Sequence, residues 1–119
     1  MLSESARSFT RTLQYVEKPA VLLDLDYRLT FANAPLLSYT GCSMEQLLGQ
    51  DFFDALIRNP GFAKRTFKDE ANACDTNSFE LRLELRTAKG GYEEKLFNVT
   101  LCKDDNGAVA NYALVETAG

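Results

Sequence analysis

Two carboxylates, Asp24 and Asp51, and three thiols, Cys42, Cys74 and Cys102, are the residues here whose chemistry could reach beyond packing. A carboxylate works as a general base when an apolar pocket raises its pKa. Asp24 or Asp51 in such a pocket would suit an isomerase or hydratase on a small α+β scaffold. The plainer reading gives Asp24 to a turn, where it bonds backbone amides, and Asp51 to a helix N-cap. The thiols are odd in number and far apart, which suits neither a disulfide framework nor a zinc site. Reduced thiols in the cytoplasm follow. The 119 residues contain no histidine. Histidine is the commonest general base, a common zinc ligand and the usual haem ligand, so its absence argues against an enzyme, a metal site and haem.

Composition narrows the partners. A net charge of −4 leaves no basic footprint for nucleic acid and disfavours anionic membrane surfaces. No apolar run approaches the roughly 20 residues that span a bilayer, and the first residues lack the pattern of a signal peptide. The length fits one domain, and 45% hydrophobic content is enough for a core.

The elements that must position these residues are legible as periods. Leu2, Ala6, Phe9, Leu13 and Val16 recur at helical spacing, an a/d seam over residues 1–18 that Pro19 ends. That helix either dimerises and passes signals or folds back on its own domain. Ala20 to Leu25 and Arg28 to Ala32 read as a hairpin around Asp26-Tyr27. Short helices follow: Ala34 to Tyr39, a capped turn from Ser43 that points Leu47 and Leu48 inward, and Asp51 to Ile57. Gly61 to Ala73 is a longer helix with Phe62, Ala63, Phe67 and Ala71 on its inner side and Lys64, Arg65, Lys68, Asp69 and Glu70 on a solvated face. From Ser78 to Arg86, Phe79, Leu81, Leu83 and Leu85 alternate with charges, so one face is apolar and the strand suits an antiparallel sheet. Tyr92 to Cys102 carries Phe97, Val99 and Leu101 on one face, and Val109 to Thr117 closes a meander. The fold class is α+β, with helices on one face of the sheet.

This order resembles the PAS family over nearly the whole chain. Asp24 matches the acidic residue that ends the family's first strand, and Asn33 the asparagine that closes the second. Thr40-Gly41-Cys42-Ser43 and Glu45-Gln46-Leu47-Leu48-Gly49 resemble its "Gly, aromatic, Ser, x, Glu, x, Leu, Leu, Gly" run. Lys89-Gly90-Gly91 and Asp104 to Gly107 resemble its late turns. The resemblance implies a profilin-like, five-stranded antiparallel sheet with short helices on one face and an N-terminal amphipathic helix. Residues 1–18 would be the dimer or signalling helix and 19–119 the sensor domain.

It also implies a sensory module that detects a small apolar or mixed-polarity ligand, or a partner, and relays to a separate output domain. Such outputs include kinases, cyclic-dinucleotide enzymes and transcription regulators. Its pocket candidates are Val21, Leu23, Asn33, Leu37, Leu48, Phe53, Phe67, Phe79, Leu81, Phe97, Val99 and Tyr112. The same residues could form a filled core, and Asn33 could simply bond the strand end and hold the next helix. The dimer candidates are Leu2, Ala6, Phe9, Leu13 and Val16, giving a homodimer. The family often ends in Asp-Ile-Thr, an output junction. Here the end reads Val115-Glu116-Thr117, which departs from it, with Glu116 as the substitute for the Asp and Glu116 and Thr117 as the output candidates. No cysteine has the setting of a photoactive flavin-binding member, so flavin–cysteinyl chemistry is not expected, and the cofactor is left unassigned. A ligand-free dimerisation module is the alternative.

Overall fold

Leucine and charge alternate along β3 (Ser78–Arg86). In the computed structural model, which describes residues 11–117, Leu81, Leu83 and Leu85 are accordingly buried and Glu80, Arg82 and Arg86 exposed. β3 pairs antiparallel with β4 (Tyr92–Lys103), and β4 with β5 (Val109–Glu116). The opening hairpin, β1 (Ala20–Leu23) and β2 (Leu29–Ala32), joins this meander through β1, with Leu22 opposite Ala113 and Leu23 opposite Tyr112. The five-stranded sheet has the order β2-β1-β5-β4-β3 and is antiparallel throughout, as expected.

Helices α1 (Ala34–Thr40), α2 (Met44–Leu47), α3 (Phe52–Leu56) and α4 (Pro60–Ala73) connect β2 to β3. The starts of α1, α2 and α3 follow their capping residues. Asn33 Oδ1 accepts from Leu36 N, Ser43 and Gln46 complete a reciprocal box, and Asp51 Oδ1 accepts from Asp54 N. Gly41 ends α1 at φ 72, with Ala88 Cβ 3.0 Å from where its own Cβ would stand, so a side chain is excluded twice over. The helices bury Leu36, Leu47, Phe52, Phe53, Leu56, Ala63 and Phe67 against the inner face of the sheet. On the outer face Leu22, Cys102 and Ala113 form a second, small buried group with Phe31 against it. β1 is therefore buried on both faces, which is why it reads as an unbroken apolar run.

Several expectations are corrected. The first strand ends at Leu23 rather than Leu25, because Asp24 Oδ1 accepts from Asp26 N and Arg28 N and starts the turn early. Leu25 is exposed. Leu48 is 47% exposed: α2 stops at Leu47, and Leu48 leaves helical geometry as its C-cap. Phe62 is 62% exposed although Ala63, beside it on α4, is buried. Lys64 is no solvated-face charge, for it sits 2.8 Å from Asp51 and 3.3 Å from Asp54.

The N-terminal seam is corrected too. Leu2, Ala6 and Phe9 lie outside the described residues. Beyond them the helix reaches only Leu13 and gives way to a turn well before Lys18. The side-chain amide of Asn33 draws the carbonyls of Leu13, Val16 and Lys18, at 3.1, 3.3 and 2.9 Å, into its own bonding. Leu13 is 1% exposed within the single chain and Val16 half-buried, so Leu13 offers no free seam.

Candidate functional site

Tyr27 takes a left-handed backbone conformation, φ 65, that side chains seldom adopt. Its N–H donates to Asp24 O and its carbonyl accepts from Phe52 N at 2.8 Å, so the turn is held from both sides. This geometry lays the ring over the inner face of the sheet. There it meets Phe53 of α3 and Phe67 of α4 edge-on, with centroids 5.3 and 5.4 Å away, and Tyr112 of β5 at 5.9 Å. Phe67 is the hub, lying 5.6 Å from Phe53, 5.5 Å from Phe79 and 5.0 Å from Tyr112. Edge-to-face pairs of this kind add about 0.5–1.5 kcal/mol each beyond burial. Five separate elements thus converge on one aromatic cup. Burial pushes the phenols of Tyr27 and Tyr112 above an ordinary pKa that already leaves them neutral at physiological pH.

Most of the nominated pocket residues meet here. Val21, Leu23, Phe53, Phe67, Leu81, Phe97 and Val99 share the inner core, with Leu37, Phe79 and Tyr112 half-buried against it. Leu48 does not join them. Asn33 is buried but committed: its Oδ1 accepts from Ala20 N and Leu36 N, and its Nδ2 serves the three carbonyls of residues 13–18. It ties the N-terminal segment to the β1 entry and to α1, and has no capacity left for a ligand. Tyr27 escaped the sequence reading because a turn residue between strands is normally solvent-facing. Only its aromatic type hinted otherwise.

A second, polar cluster sits where the sheet's inner face meets α1. Lys95 Nζ lies 3.4 Å from Glu116 Oε1, 3.8 Å from Glu93 Oε2 and 4.8 Å from the centroid of the Tyr39 ring. Tyr39 donates its hydroxyl to Glu93 Oε2 at 2.8 Å. Burial first, then that bond and the charges of Glu93 and Glu116, push its pKa up to about 12. Next to this cluster Thr117 donates both its N–H and its hydroxyl to Leu96 O. The two nominated output residues are therefore fixed to β4, and Glu116 to α1 through Lys95. Tyr39 and Lys95 were missed, since neither stands out in a half-polar strand or helix.

The carboxylates considered for catalysis are structural. Asp24 holds the β1–β2 turn, and Asp51 caps α3 while pairing with Lys64. The thiols are dispersed. Cys102 is buried on the outer face, and burial raises its pKa to about 11. Cys74 donates to Thr76 O beyond α4, and Cys42 lies at the core's margin near α2. None stands among the rings of the cup, so a flavin reacting with a cysteine does not fit this site.

Concavities open on the surface of the described residues. One, about 230 Å³, runs between α4 and β3 beside Phe62. Another, about 480 Å³, is a polar cleft between α1, α2, α3 and the end of β3, with Cys42, Gln50 and Arg86 among its lining. Among the described residues no helix is long and apolar enough to cross a membrane.

Comparison with solved structures places the fold. The chain superposes on a point variant of RsLOV with a TM-score of 0.77 at 18% identity, covering 98% of this chain and 69% of that one. It matches a PAS domain from Colwellia psychrerythraea with a TM-score of 0.76 at 14% identity, covering 96% of each. A third match is the PAS domain of the RpfR quorum-sensing receptor of Cronobacter turicensis in complex with BDSF, TM-score 0.70 at 18% identity, covering 86% of this chain and 93% of that one. No family model matches the sequence, and no curated protein matches it. The chain has the fold of PAS and LOV domains.

Proposed function

We propose that this chain is a non-enzymatic sensory module whose aromatic cup takes up a small apolar or mixed-polarity ligand and whose β5 end relays the event to a separate output domain. The observation that carries this reading is the cup itself: packed rings from the β1–β2 turn, α3, α4, β3 and β5, two of them tyrosines. Ligand sites have that make-up, mostly apolar with a few polar groups that fix orientation. The RpfR domain, which shares the fold, is described in complex with BDSF. A ligand shifts output only if it binds one state of the domain better than the other. Phe67 and Tyr112 touch, and Tyr112 lies on the strand that ends in Glu116, so displacement of the Phe67 ring would bear on the chain's exit. Residues 19–119 form the sensor and 1–18 its signalling segment, in a cytoplasmic protein with a kinase, cyclic-dinucleotide enzyme or transcription regulator as output.

A thermal-shift screen of small metabolites and flavins tests this. A stabilising compound whose effect disappears in Tyr112→Ala supports it, and uniform silence contradicts it. The second reading is a ligand-free association module. It is favoured by one fact, that the rings already fill the cup with the chain's own side chains.

A further inference from the structure

β3 is the terminal strand of the sheet, and among the described residues its outer edge meets only the isolated bridge between Ile57 and Leu85. Along an antiparallel strand, alternate residues turn their N–H and C=O to opposite sides. Asn77 gives its carbonyl to Leu101 N on β4, whereas Glu84 gives its carbonyl to Arg58 N on the opposite side, at 3.0 Å. Odd-numbered residues of β3 therefore face β4, and even-numbered residues face the open edge. That edge is closed at both ends. Thr76 Oγ1 donates to Ser78 O at one end, and Arg58 N holds Glu84 O at the other. Between them lie Glu80 and Arg82, both exposed, with their backbone groups turned outward; the Arg82 guanidinium also reaches Glu94 of its own chain at 3.1 Å.

We propose that this window pairs with the same window of a second copy of the chain, antiparallel about Leu81, so that Glu80 of each copy stands opposite Arg82 of the other. Each such pair exchanges two backbone hydrogen bonds, and the twofold repeats it, so every open group in the window gains a partner. The side chains select the register. Opposite charges directly across a ladder are favoured and like charges are not. Sliding the copies by two residues sets Glu80 against Glu80 or Arg82 against Arg82. The alternating charges, which normally guard an edge strand, thus reject other strands and accept this one.

The groove beside the window is mixed, with Arg58, Asn59, Glu84 and Glu94 in its lining as well as apolar side chains. At about 230 Å³, with Ala63, Leu81 and Leu83 in its lining, it falls below the ~300–1,000 Å³ typical of small-molecule sites. It suits a side chain rather than a free ligand. A twofold perpendicular to the joined sheet places α4 of both copies on one side of it. Phe62, 62% exposed at the groove, then overhangs the junction. In this register Ser78 of each copy falls opposite Glu84 of the other, where Arg58 already sits, so the strands pair only from Glu80 to Arg82 and diverge beyond. With so short a ladder the dimer forms only at high protein concentration.

The test is sedimentation velocity of the whole chain over a concentration series, with three arms. The native chain is expected to dimerise as concentration rises. E80R and R82E, each placing like charges opposite one another, are expected to stay monomeric. An equimolar mixture of E80R and R82E is expected to associate again, because every facing pair is then of opposite sign; a variant that had merely misfolded would not recover. Amide hydrogen exchange at Glu80 and Arg82 is expected to slow with concentration. The proposal is overturned by a monomer at every concentration, by association unchanged in both single variants, or by a mixture that does not recover.

Discussion

Lys95 and Glu116 form an ion pair at 3.4 Å on the inner face of the sheet, with side chains only 23% and 11% exposed. The pair joins the middle of β4 to the last residue of β5. Arg82 and Glu94 form a comparable pair at 3.1 Å on the outer face, but their side chains are 68% and 60% exposed. Solvent screens the second and much less the first. Lys95→Met should therefore destabilise the domain by about 1–3 kcal/mol, because Glu116 is left poorly solvated and unpaired. Arg82→Met should cost at most about 0.5 kcal/mol. Urea unfolding of the two variants measures the contrast. Equal effects would mean that the inner pair is no better shielded than the outer.

The Tyr39 phenol gives a pH signature. Its folded pKa is about 12 against an ordinary 10.0. In that interval the folded state holds a proton that the unfolded state has lost, so stability falls as pH rises. The contribution is complete below pH 10.0 and gone above about 12. Ultraviolet titration should show late-ionising tyrosines, of which the one assigned to Tyr39 has its pKa lowered in Glu93→Gln while Tyr27 and Tyr112 keep theirs, and the melting temperature of that variant should fall less steeply over the same range.

Asn33 should be the most sensitive polar position. Asn33→Ala strands the amides of Ala20 and Leu36 and takes a donor from the carbonyls of Leu13, Val16 and Lys18, in a site 1% exposed. Each buried orphan costs about 1–3 kcal/mol, so the variant should lose most of the fold's stability. Asn33→Asp keeps the acceptor but turns a carboxylate toward three carbonyls. Its folded pKa would be raised, so it should be most stable in acid, below the unfolded carboxylate pKa, and weaken as pH rises through the folded value. Circular dichroism melts across acid pH read this directly.

Phe67→Ala removes the hub of the cup and should cost about 3–5 kcal/mol, as large-to-small core changes do. Phe62→Ala, five residues earlier on the same helix, should change the stability of the monomer by about 0.5 kcal/mol or less, because its ring is mostly in water. Denaturant midpoints separate the two, and a small effect at Phe67 would mean that the cup is loosely packed.

Much of this architecture was readable in the residues. The strict alternation from Phe79 to Leu85 fixed which face of β3 is buried, and Ser43 with Gln46 marked the cap that forms. What escaped was set by contacts distant in sequence. Leu47 and Leu48 look alike to any periodicity, but only the point at which α2 stops decides that one is buried and the other exposed. A helical period over residues 1–18 does not show that the helix stops at Leu13, because the competitor for its carbonyls, the Asn33 amide, lies 15 to 20 residues away. Tyr27 was passed over because its inward turn depends on a bond from Phe52 N. The Lys95 cluster needed α1, β4 and β5 to be assembled before its charges could be seen to meet.

The most direct measurement is two-dimensional NMR of the isotopically labelled chain titrated with the compound that most raises its melting temperature. A sensor whose cup is coupled to its exit should show the aromatic resonances of Tyr27, Phe67 and Tyr112 and the amides of Glu116 and Thr117 moving together along one binding curve. Shifts confined to the surface grooves, or cup shifts with Glu116 and Thr117 unmoved, would contradict it.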